Sequence, residues 1–322
     1  MAAAGKPSIC IVSPGTARDN NGNWHTADRW AHFLRDACEV AVRDCWTAAD
    51  PLPDLMILLH ARRSAPSLAA FLARRGNQPA LLLLTGTDVY HDIHHDADAA
   101  AALRQVDAIA VLQPAALEEL ADDVRARAHV IYQSAPALEP RTADRAIVTM
   151  AGHLRAVKDP ATFMRAAALV TAPDVSLRQI GGVIDADLGR LAMRTQEEAG
   201  RYAWLGALPR DAVREEIRRS HALAVCSTME GGANVIVEAV TSGVPVLASD
   251  ISGNRGMLGD DYRGYFPVGD AAALARLIDR SVADAAFHAT LRAQCAARAA
   301  LFAPAAERAA LLRLVDNLLN SI

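Results

Sequence analysis

The sequence predicts an α/β protein with two domains in tandem, each built on a doubly wound parallel β-sheet. Short apolar runs alternate with helix-length segments along the 322 residues, and many of these runs are continuously apolar. Such runs are typical of strands that are buried on both faces, in sheets that helices cover. The same strand–helix order restarts after residues 133–145, and the length is sufficient for two domains with a core each.

Six strand-length runs lie in the first half, and helical segments separate several of them. The predicted strands are Ile9–Ser13, Val40–Asp44, Leu55–His60, Ala80–Leu84, Ala108–Leu112 and His129–Tyr132. The predicted helices are Thr26–Ala37, Ser64–Arg74, Ala97–Arg104 and Ala115–Leu120. Strands that alternate with helices in this way indicate parallel pairing.

The second half repeats this order before the chain becomes purely helical. Its predicted strands are Ile147–Ala151, Ser176–Ile180, Tyr202–Leu205, Leu223–Ser227 and Val244–Ala248. After Pro267 only helices are predicted, namely Ala271–Arg280, Ala285–Ala300 and Pro304–Asn320. The segment Gln133–Arg145 holds Pro136 and Pro140 without clear periodicity, which is typical of a linker. We therefore predict domains at residues 1–140 and 141–322.

Composition excludes several classes of protein. The net charge is −4 and no domain is basic, so a nucleic-acid partner is not expected. No apolar run is long enough to span a membrane, and no targeting segment precedes the first strand. The five cysteines are scattered and form no Cys-x-x-Cys pair, which indicates reduced thiols. The sequence thus predicts a cytoplasmic protein.

The segment from Glu230 to Glu238 is the most specific motif. It follows a predicted strand and opens a helix, and its glycines Gly231 and Gly232 allow a ligand to approach the backbone. The first backbone N–H groups of that helix lack partners and favour a phosphate; they belong to Asn234, Val235 and Ile236. Glu238 would accept hydrogen bonds from a ribose, and Glu230 would reach a sugar hydroxyl. A glycine turn with two solvated glutamates is the alternative.

A second motif, residues 152–160, follows the first strand of the second half. It places Arg155 and Lys158 in a loop before a helix that opens at Pro160. Two cations in such a loop would neutralise a diphosphate and stabilise it as a leaving group. Taken alone, this motif is better explained by a surface loop with two solvated cations.

Polar loops that follow strands of the first half are candidates for the other substrate. Ligands of doubly wound sheets lie beyond the carboxyl ends of the strands. The candidate residues in such loops are Asn20, Asn23, His25, Thr26, His60, Arg62, Thr87 and Asp88, together with Arg255 in the second half. For each residue alone, a helix cap, a turn or a solvated arginine is an adequate explanation, so the prediction depends on their convergence at one edge.

Together, the two motifs of the second half resemble those of the family 4 glycosyltransferases, which have the GT-B fold. That family pairs a glycine–lysine loop with a Glu-x₇-Glu element, in the order seen here. The resemblance implies two Rossmann-like domains that face an interdomain cleft, and a nucleotide-sugar donor. It assigns Arg155 and Lys158 to the diphosphate, Glu238 to the ribose and Glu230 to the sugar. It also implies that Gly22, Gly152 and Leu208 border the nucleotide-sugar.

Several phrases resemble more closely the selenosugar synthases of selenoneine biosynthesis, a family 4-like group. They are Asn-Gly-Asn-Trp-His-Thr, His-Ala-Arg-Arg-Ser, Leu-Thr-Gly-Thr-Asp, Met-Glu-Gly-Gly-Ala-Asn and Gly-Asn-Arg-Gly-Met-Leu-Gly. This resemblance implies transfer from UDP-N-acetylglucosamine to selenophosphate, with formation of a C–Se bond and with His60 among the catalytic residues. The UDP-sugar is a substrate, so no cofactor is expected. The oligomeric state stays open.

Metal-like patterns in the chain have simpler explanations. Asp96-x-Asp98 and Asp185-x-Asp187 stand where helices begin, and acidic residues in a first helical turn need no metal. The run His91–Asp96 matches no standard zinc spacing. No metal site is therefore predicted.

Other functions stay open at this stage. A family 4 enzyme with a hydroxyl acceptor, a UDP-sugar epimerase or hydrolase, and a sugar-nucleotide sensor would share the donor residues. A dinucleotide-dependent oxidoreductase is disfavoured, because no Gly-x-Gly-x-x-Gly follows Val12 or Met150.

Overall fold

The computed structural model describes residues 5–15, 22–141 and 145–320. The chain divides into two compact units. Unit 1 comprises the residues up to Gln133 and those from Pro304 onward, and unit 2 comprises Ser134–Ala303. Each unit contains one six-stranded sheet in which all neighbouring strands run parallel.

Unit 1 has the strand order β2-β1-β3-β4-β5-β6. Its strands are β1 (Ser8–Val12), β2 (Glu39–Arg43), β3 (Leu55–Leu59), β4 (Ala80–Leu83), β5 (Ala108–Val111) and β6 (Ala128–Val130). Its helices are α1 (Gly22–Leu34), α2 (Ala61–Leu72), α3 (Ile93–His95), α4 (Ala97–Gln105), α5 (Asp122–Arg125) and α13 (Pro304–Asn320), with a π-helical turn at Asp88–Asp92 and a 3₁₀ segment at Pro114–Glu119.

Unit 2 has the strand order β12-β11-β10-β7-β8-β9. Its strands are β7 (Ala146–Ala151), β8 (Val175–Ile180), β9 (Tyr202–Trp204), β10 (Ala222–Val225), β11 (Val246–Ser249) and β12 (Tyr265–Phe266). Its helices are α6 (Pro160–Leu169), α7 (Ala186–Glu198), α8 (Arg210–Arg218), α9 (Asn234–Val240), α10 (Ser252–Leu258), α11 (Ala271–Ala283) and α12 (Ala285–Arg298), with 3₁₀ segments at Ala156–Lys158 and Ala299–Phe302.

The apolar runs form the sheet interiors, as the sequence predicts. All five residues of β3 and all four of β4 are buried, because helices cover both faces of these central strands. Two separate hydrophobic clusters pack on the two faces of the unit 1 sheet. The edge strand β2 alternates between exposed and half-buried residues, since one of its faces meets solvent. The predicted class, two doubly wound α/β domains, is confirmed.

The C-terminal helix differs from the predicted domain division. The sequence assigns Pro304–Asn320 to the second domain, whereas α13 packs in the hydrophobic cluster of unit 1 through Leu311, Leu314 and Val315. Its buried Glu307 accepts hydrogen bonds from Trp30 Nε1 at 2.9 Å and from Arg29 Nε at 2.7 Å, both on α1. The first division between units falls at residue 133, within the predicted linker, rather than at 140.

A few short elements differ from the prediction. The segment 115–120 forms a 3₁₀ rather than an α-helix, and the two-residue strand β12 and the four-residue helix α5 are not predicted. Cys45 is exposed, and the other four cysteines are buried; all five are free thiols. Within the described ranges, no helix combines the length and the apolar character that crossing a membrane requires.

Candidate active site

The strand order of unit 2 gives its sheet a switch point between β7 and β10. The chain proceeds from β7 to β8 and β9 on one side and then returns to β10 on the other side. Loops that follow two such strands diverge and leave a crevice at the carboxyl edge of the sheet, where doubly wound proteins bind ligands. Both motifs of the second half lie in these two loops.

The two loops meet through a cluster formed by Ser227, Lys158 and Glu230. Lys158 Nζ and Ser227 Oγ each lie 2.5 Å from the same carboxylate oxygen, Glu230 Oε1. The backbone also joins the loops, because Thr228 N donates to Val157 O at 2.9 Å. The Lys158 side chain is 21% exposed and that of Glu230 is 9% exposed. The sequence-predicted cation and acid therefore form one ion pair at the switch point, and the lysine side chain is partly exposed.

The loop after β7 is shaped by its own residues. Asp159 has a left-handed conformation (φ 42°) and caps α6, whose first residue is Pro160. The Asp159 carboxylate accepts from the backbone N and the hydroxyl group of Thr162. This cap closes the short 3₁₀ turn that carries Lys158. Arg155, just before that turn, is exposed, and its side chain contacts no carboxylate within the described ranges.

Close backbone approach explains two of the glycines near this site. A Cβ on Gly253, at the start of α10, would lie 1.9 Å from the carbonyl oxygen of Glu230. A Cβ on Gly181, after β8, would lie 1.9 Å from the carbonyl oxygen of Gly152. Gly231 is buried and Gly232 is half-buried in the turn that follows Glu230. The backbone around the ion pair is therefore held by segments that only glycine permits to pack there.

Helix α9 presents Glu238 to two arginines of α8. Glu238 is buried, and its Oε1 lies 3.5 Å from Arg210 Nε. Burial lowers the pKa of Arg214, and the negative charge of Glu238 opposes this effect. Asn234 and Val235 are half-buried at the start of α9, while the backbone N–H of Ile236 donates to Ala233 O at 2.9 Å. The Ile236 amide is thus already occupied, in contrast to the expectation of three free amides.

Leu208 lies in the loop after β9, at the same carboxyl edge of the unit 2 sheet. It is half-buried. Gly181 N donates to Gly206 O at 2.8 Å, and Gly152 N donates to Ile180 O at 2.8 Å. These hydrogen bonds connect the loops that follow β7, β8 and β9 at the carboxyl edge of the sheet. Leu208 and Gly152, which is also half-buried, both lie in these loops.

Unit 1 has its own switch point, between β1 and β3, and His60 follows β3 there. His60 is 3% exposed and has an unusual positive φ of 71°. Its Nε2 lies 3.2 Å from Thr87 Oγ1, and its Nδ1 is buried without a hydrogen-bond partner in the described parts of the chain. Burial lowers the pKa of His60, although the neighbouring carboxylate of Asp88 opposes that shift. A backbone strained in this way is common at functional sites.

Asp88 organises the loops around His60. Its carboxylate is fully buried and accepts hydrogen bonds from the backbone N–H groups of Thr85, Gly86 and Ala61. Asp88 therefore holds the loop after β4 against the start of α2. Arg62, on the first turn of α2, is half-exposed and donates to Asp92 Oδ2 at 3.0 Å.

The loop after β1 is described only in part. Asn20 lies outside the described residues. Gly22 is exposed at the start of α1, and Asn23 and His25 are half-buried. Thr26 is buried, and its hydroxyl donates to Gly22 O and accepts from Gln133 Nε2 at 2.7 Å. The Thr26 hydroxyl is thus engaged inside unit 1.

Arg255 is engaged by other residues of unit 2. Its guanidinium donates to both carboxylate oxygens of Asp250, at 2.6 and 2.9 Å, and lies over the Tyr265 ring at 5.3 Å. The side-chain hydrogen bonds of Asp250 raise the pKa of Arg255. The predicted acceptor role therefore competes with a bidentate ion pair to Asp250, which lies in the loop just before α10.

The structure brings further residues to these sites that the sequence analysis does not single out. Ser227 appears in the sequence only as the end of a strand, although it touches Glu230. Asp92 follows Asp88 by one helical turn and binds Arg62. Arg210 and Arg214 are spaced i, i+4, a signal for one helix face that the sequence does offer.

The metal-like patterns cap helices. Asp96 accepts from Ala99 N at the start of α4, and Asp185 accepts from Asp187 N and Leu188 N at the start of α7. In residues 5–15, 22–141 and 145–320, no group of three or more His, Cys, Asp or Glu side chains is arranged to hold a metal ion.

Comparison with known proteins gives a consistent family and fold. Residues 136–301 match the family model for glycosyl transferases group 1. Glycosyltransferase 1 domain-containing protein 1 of Xenopus tropicalis is 34% identical over 113 residues, which cover 34% of this chain and only 33% of that relative.

Several solved structures match nearly the whole chain. Sucrose-phosphate synthase from Thermosynechococcus elongatus has a TM-score of 0.79 and 19% identity, over 98% of this chain and 100% of that chain. Anabaena Alr3699/HepE, in complex with UDP and glucose, has a TM-score of 0.74 and 17% identity, over 98% and 100%. At these identities the likeness concerns the fold, and it confirms the expected GT-B class.

Proposed function

The chain belongs to the glycosyl transferases group 1 family and is a glycosyltransferase, and from this premise we propose that it transfers a sugar from a UDP-sugar to a small anionic acceptor. The proposed donor is UDP-N-acetylglucosamine and the proposed acceptor is selenophosphate, in accordance with the resemblance to selenosugar synthases. The complex of Anabaena Alr3699/HepE with UDP and glucose supports a uridine nucleotide as donor. The proposal includes no metal or cofactor.

The observation that carries this proposal is the contact of Lys158 with Glu230 at the unit 2 switch point. An ammonium group has three N–H donors, and Glu230 engages only one of them. The others are free for the oxygens of a diphosphate, and exposed Arg155 adds a second positive charge in the same loop. Preorganised cations of this kind stabilise the charge that develops on a leaving diphosphate.

Glu230 would orient the sugar while it holds Lys158 in place. Lys158 and Ser227 both engage Oε1 of Glu230, so Oε2 is left to accept a sugar hydroxyl. Buried Glu238 would bind the ribose, and Arg210, whose Nε lies 3.5 Å from Glu238 Oε1, would help to orient the carboxylate. Half-buried Leu208 would contact the base. Each assignment rests on the resemblance and on the position of the residue at the carboxyl edge of the sheet.

The acceptor is assigned to unit 1, where two arginines directly follow His60 in the chain, and where the carboxylates of Asp88 and Asp92 lie 4.0 and 3.9 Å from the His60 ring nitrogens. Arg62 and Arg63 are both exposed at the start of α2, directly after His60. An anion is favoured at this end of a helix, and guanidinium groups bind phosphate oxygens well. In the proposed reaction, a lone pair on selenium forms the C–Se bond at the anomeric carbon. The C–O bond to UDP breaks, and its electron pair leaves on the β-phosphate oxygen.

Product analysis by mass spectrometry tests this function. The protein is incubated with UDP-N-acetylglucosamine and selenophosphate, thiophosphate or no acceptor. We expect UDP and a selenium-bearing sugar only when selenophosphate is present. UDP release without an acceptor would indicate a hydrolase or an epimerase-like reaction instead. Absence of UDP release with every acceptor would refute the proposed substrates.

Two variants test the site itself. Lys158→Met and Glu230→Gln should each lower kcat by about 10²- to 10³-fold, as loss of preorganised charge stabilisation does. Arg194→Gln, an exposed cation on α7 of the same unit, is the matched control and should retain activity. If Lys158→Met had the same kcat as the wild type, the proposal that this loop stabilises the diphosphate would be refuted. His60→Gln should raise the acceptor KM and leave UDP binding unchanged.

A further inference from the structure

A second concave site lies at the opposite edge of the unit 2 sheet. A cavity of about 360 Å³ opens where β7, β10 and β11 begin, and its walls include Ala146, His221 and Val244. The Lys158 and Glu230 loops follow the other ends of β7 and β10. Because these strands are parallel, the cavity and the candidate donor site are on opposite edges of one sheet. The cavity is therefore separate from the proposed donor site.

The wall of this cavity is strongly cationic. No carboxylate of the described residues lines it, and its titratable residues are Arg141, Arg145, Arg219, Arg292, His221 and His288. Arg141 and Arg219 share one carboxylate, Glu215, at 2.8 and 2.7 Å, and Arg218 pairs with the same carboxylate at 3.1 Å. Three guanidinium groups therefore share a single negative charge.

The other two arginines are still less neutralised. Arg145 lies 3.9 Å from Asp174, a distance too long for a hydrogen bond, and the Asp174 side chain is 81% exposed. Arg292 is exposed and contacts no carboxylate within the described ranges. The four guanidinium groups thus face two carboxylates that lie outside the cavity wall. An uncompensated positive potential in a concave site attracts anions.

Two stacked histidines form a fixed part of the wall. The His221 and His288 rings are 3.9 Å apart and nearly parallel, at 12°. His221 Nε2 lies 3.0 Å from Ser281 O, and His288 Nε2 lies 3.0 Å from His221 O. Each Nε2 must therefore carry the proton, and each ring is oriented by a main-chain carbonyl group. A prearranged wall lowers the entropic cost of binding.

We propose that this cavity binds a small molecule with a multiply charged phosphate or diphosphate group. The guanidinium fork matches the oxygens of such a group, and several guanidiniums around one cavity match its charge. The rest of the wall is uncharged and includes Val244, Pro245 and Val282, which suits a compact uncharged body next to the anion. The volume lies within the range of small-molecule sites, far below a nucleic-acid footprint.

The occupant would also contact the segment that leaves α9. Gly243 and Val244 line the cavity and follow α9, which ends at Val240. The same helix contains Glu238, a residue of the candidate donor site. Gly243 has a left-handed φ of 68°. The cavity and the candidate donor site are thus bordered by opposite ends of the same elements, α9, β7 and β10.

Calorimetry with sodium pyrophosphate tests the proposal on the full chain and needs no sugar transfer. We expect saturable binding that Lys158→Met and Arg194→Gln retain. The double variant Arg219→Gln, Arg292→Gln should weaken it by roughly tenfold or more, and the single variant Arg292→Gln should weaken it less. Arg292→Gln changes only an exposed side chain, so its affinity for pyrophosphate can be measured even if the double variant does not fold.

Two results would overturn the proposal. One is binding that Lys158→Met abolishes and the Arg219→Gln, Arg292→Gln variant retains, because the pyrophosphate would then occupy the donor site. The other is no saturable binding up to about 10 mM, a limit that corresponds to a negligible affinity. Neither result refutes the proposed sugar transfer, which product analysis tests separately; the first would support the role of Lys158 in binding a diphosphate.

Discussion

Replacing Gly253 by alanine should disable the site from the backbone side without touching a charged group. The added Cβ would lie 1.9 Å from the Glu230 carbonyl oxygen and 2.9 Å from its carbonyl carbon. A carbon and an oxygen approach to about 3.3 Å in ordinary contacts, so α10 and the Glu230 loop must separate by roughly 1.4 Å. The Glu230–Lys158 contact is only 2.5 Å long, so the shift is large on the scale of the ion pair.

The expected loss follows from that displacement. Misplacement of catalytic groups by about 1 Å costs roughly 10²-fold in rate, and overpacking of this kind costs about 1–3 kcal/mol of stability. The assay measures kcat for UDP release, UDP affinity by calorimetry, and the Tm. Gly200→Ala is the control, because an added Cβ meets no atom within 4 Å there. A folded Gly253→Ala protein with unchanged kcat would refute the reasoning, as would an equal loss in Gly200→Ala.

Three further predictions concern stability, pH and the acceptor loops. Glu307→Ala should destabilise unit 1 by about 3–5 kcal/mol, because the buried guanidinium of Arg29 loses its carboxylate; unchanged hydrogen exchange in α1 would contradict this. Burial lowers the pKa of His221 to about 4 in the folded protein. As the pH falls, the histidine is therefore protonated in the unfolded chain before it is protonated in the folded one, and the stability decreases between about pH 6.5 and 4. Over that range the Tm of the wild type should decrease more than that of His221→Asn, and parallel decreases would refute the role of this residue. Asp88→Asn should raise the acceptor KM with UDP affinity unchanged, because an amide cannot accept three backbone N–H groups as the carboxylate does; weakened UDP binding would contradict it.

The interior of the fold was predictable because burial on both faces leaves a direct trace in the sequence. Leu55–Leu59 reads as one apolar run, and all five residues are buried in β3. The position of α13 left no such trace. An amphipathic helix indicates that one face is buried, but not against which partner, and the contact of Glu307 with Trp30 spans 277 positions.

The site was predictable as positions at strand ends and not as contacts. The order of strands places Lys158 and Glu230 at one edge, but their ion pair depends on the detailed path of both loops. The same limit applies to Arg255, because the sequence presents a cation in a glycine-rich turn and gives no sign that Asp250 neutralises it. Asp88 and Thr26 are further examples, because the sequence presents them as polar residues available to a ligand. In the structure their oxygens accept hydrogen bonds from other residues of the protein, Gly86 and Gln133.

The return of α13 to unit 1 has a consequence for the order in which the chain matures. The ribosome releases the whole of residues 134–303 before it releases the helix that covers α1. Until then Trp30, which is fully buried in the finished protein, lacks the partner of its indole N–H, and one face of the first sheet lacks Leu311, Leu314 and Val315. Of the two units, the one whose synthesis begins first is therefore completed second, and in a nascent chain that stalls before Pro304 this face of the sheet lacks the three apolar side chains of α13.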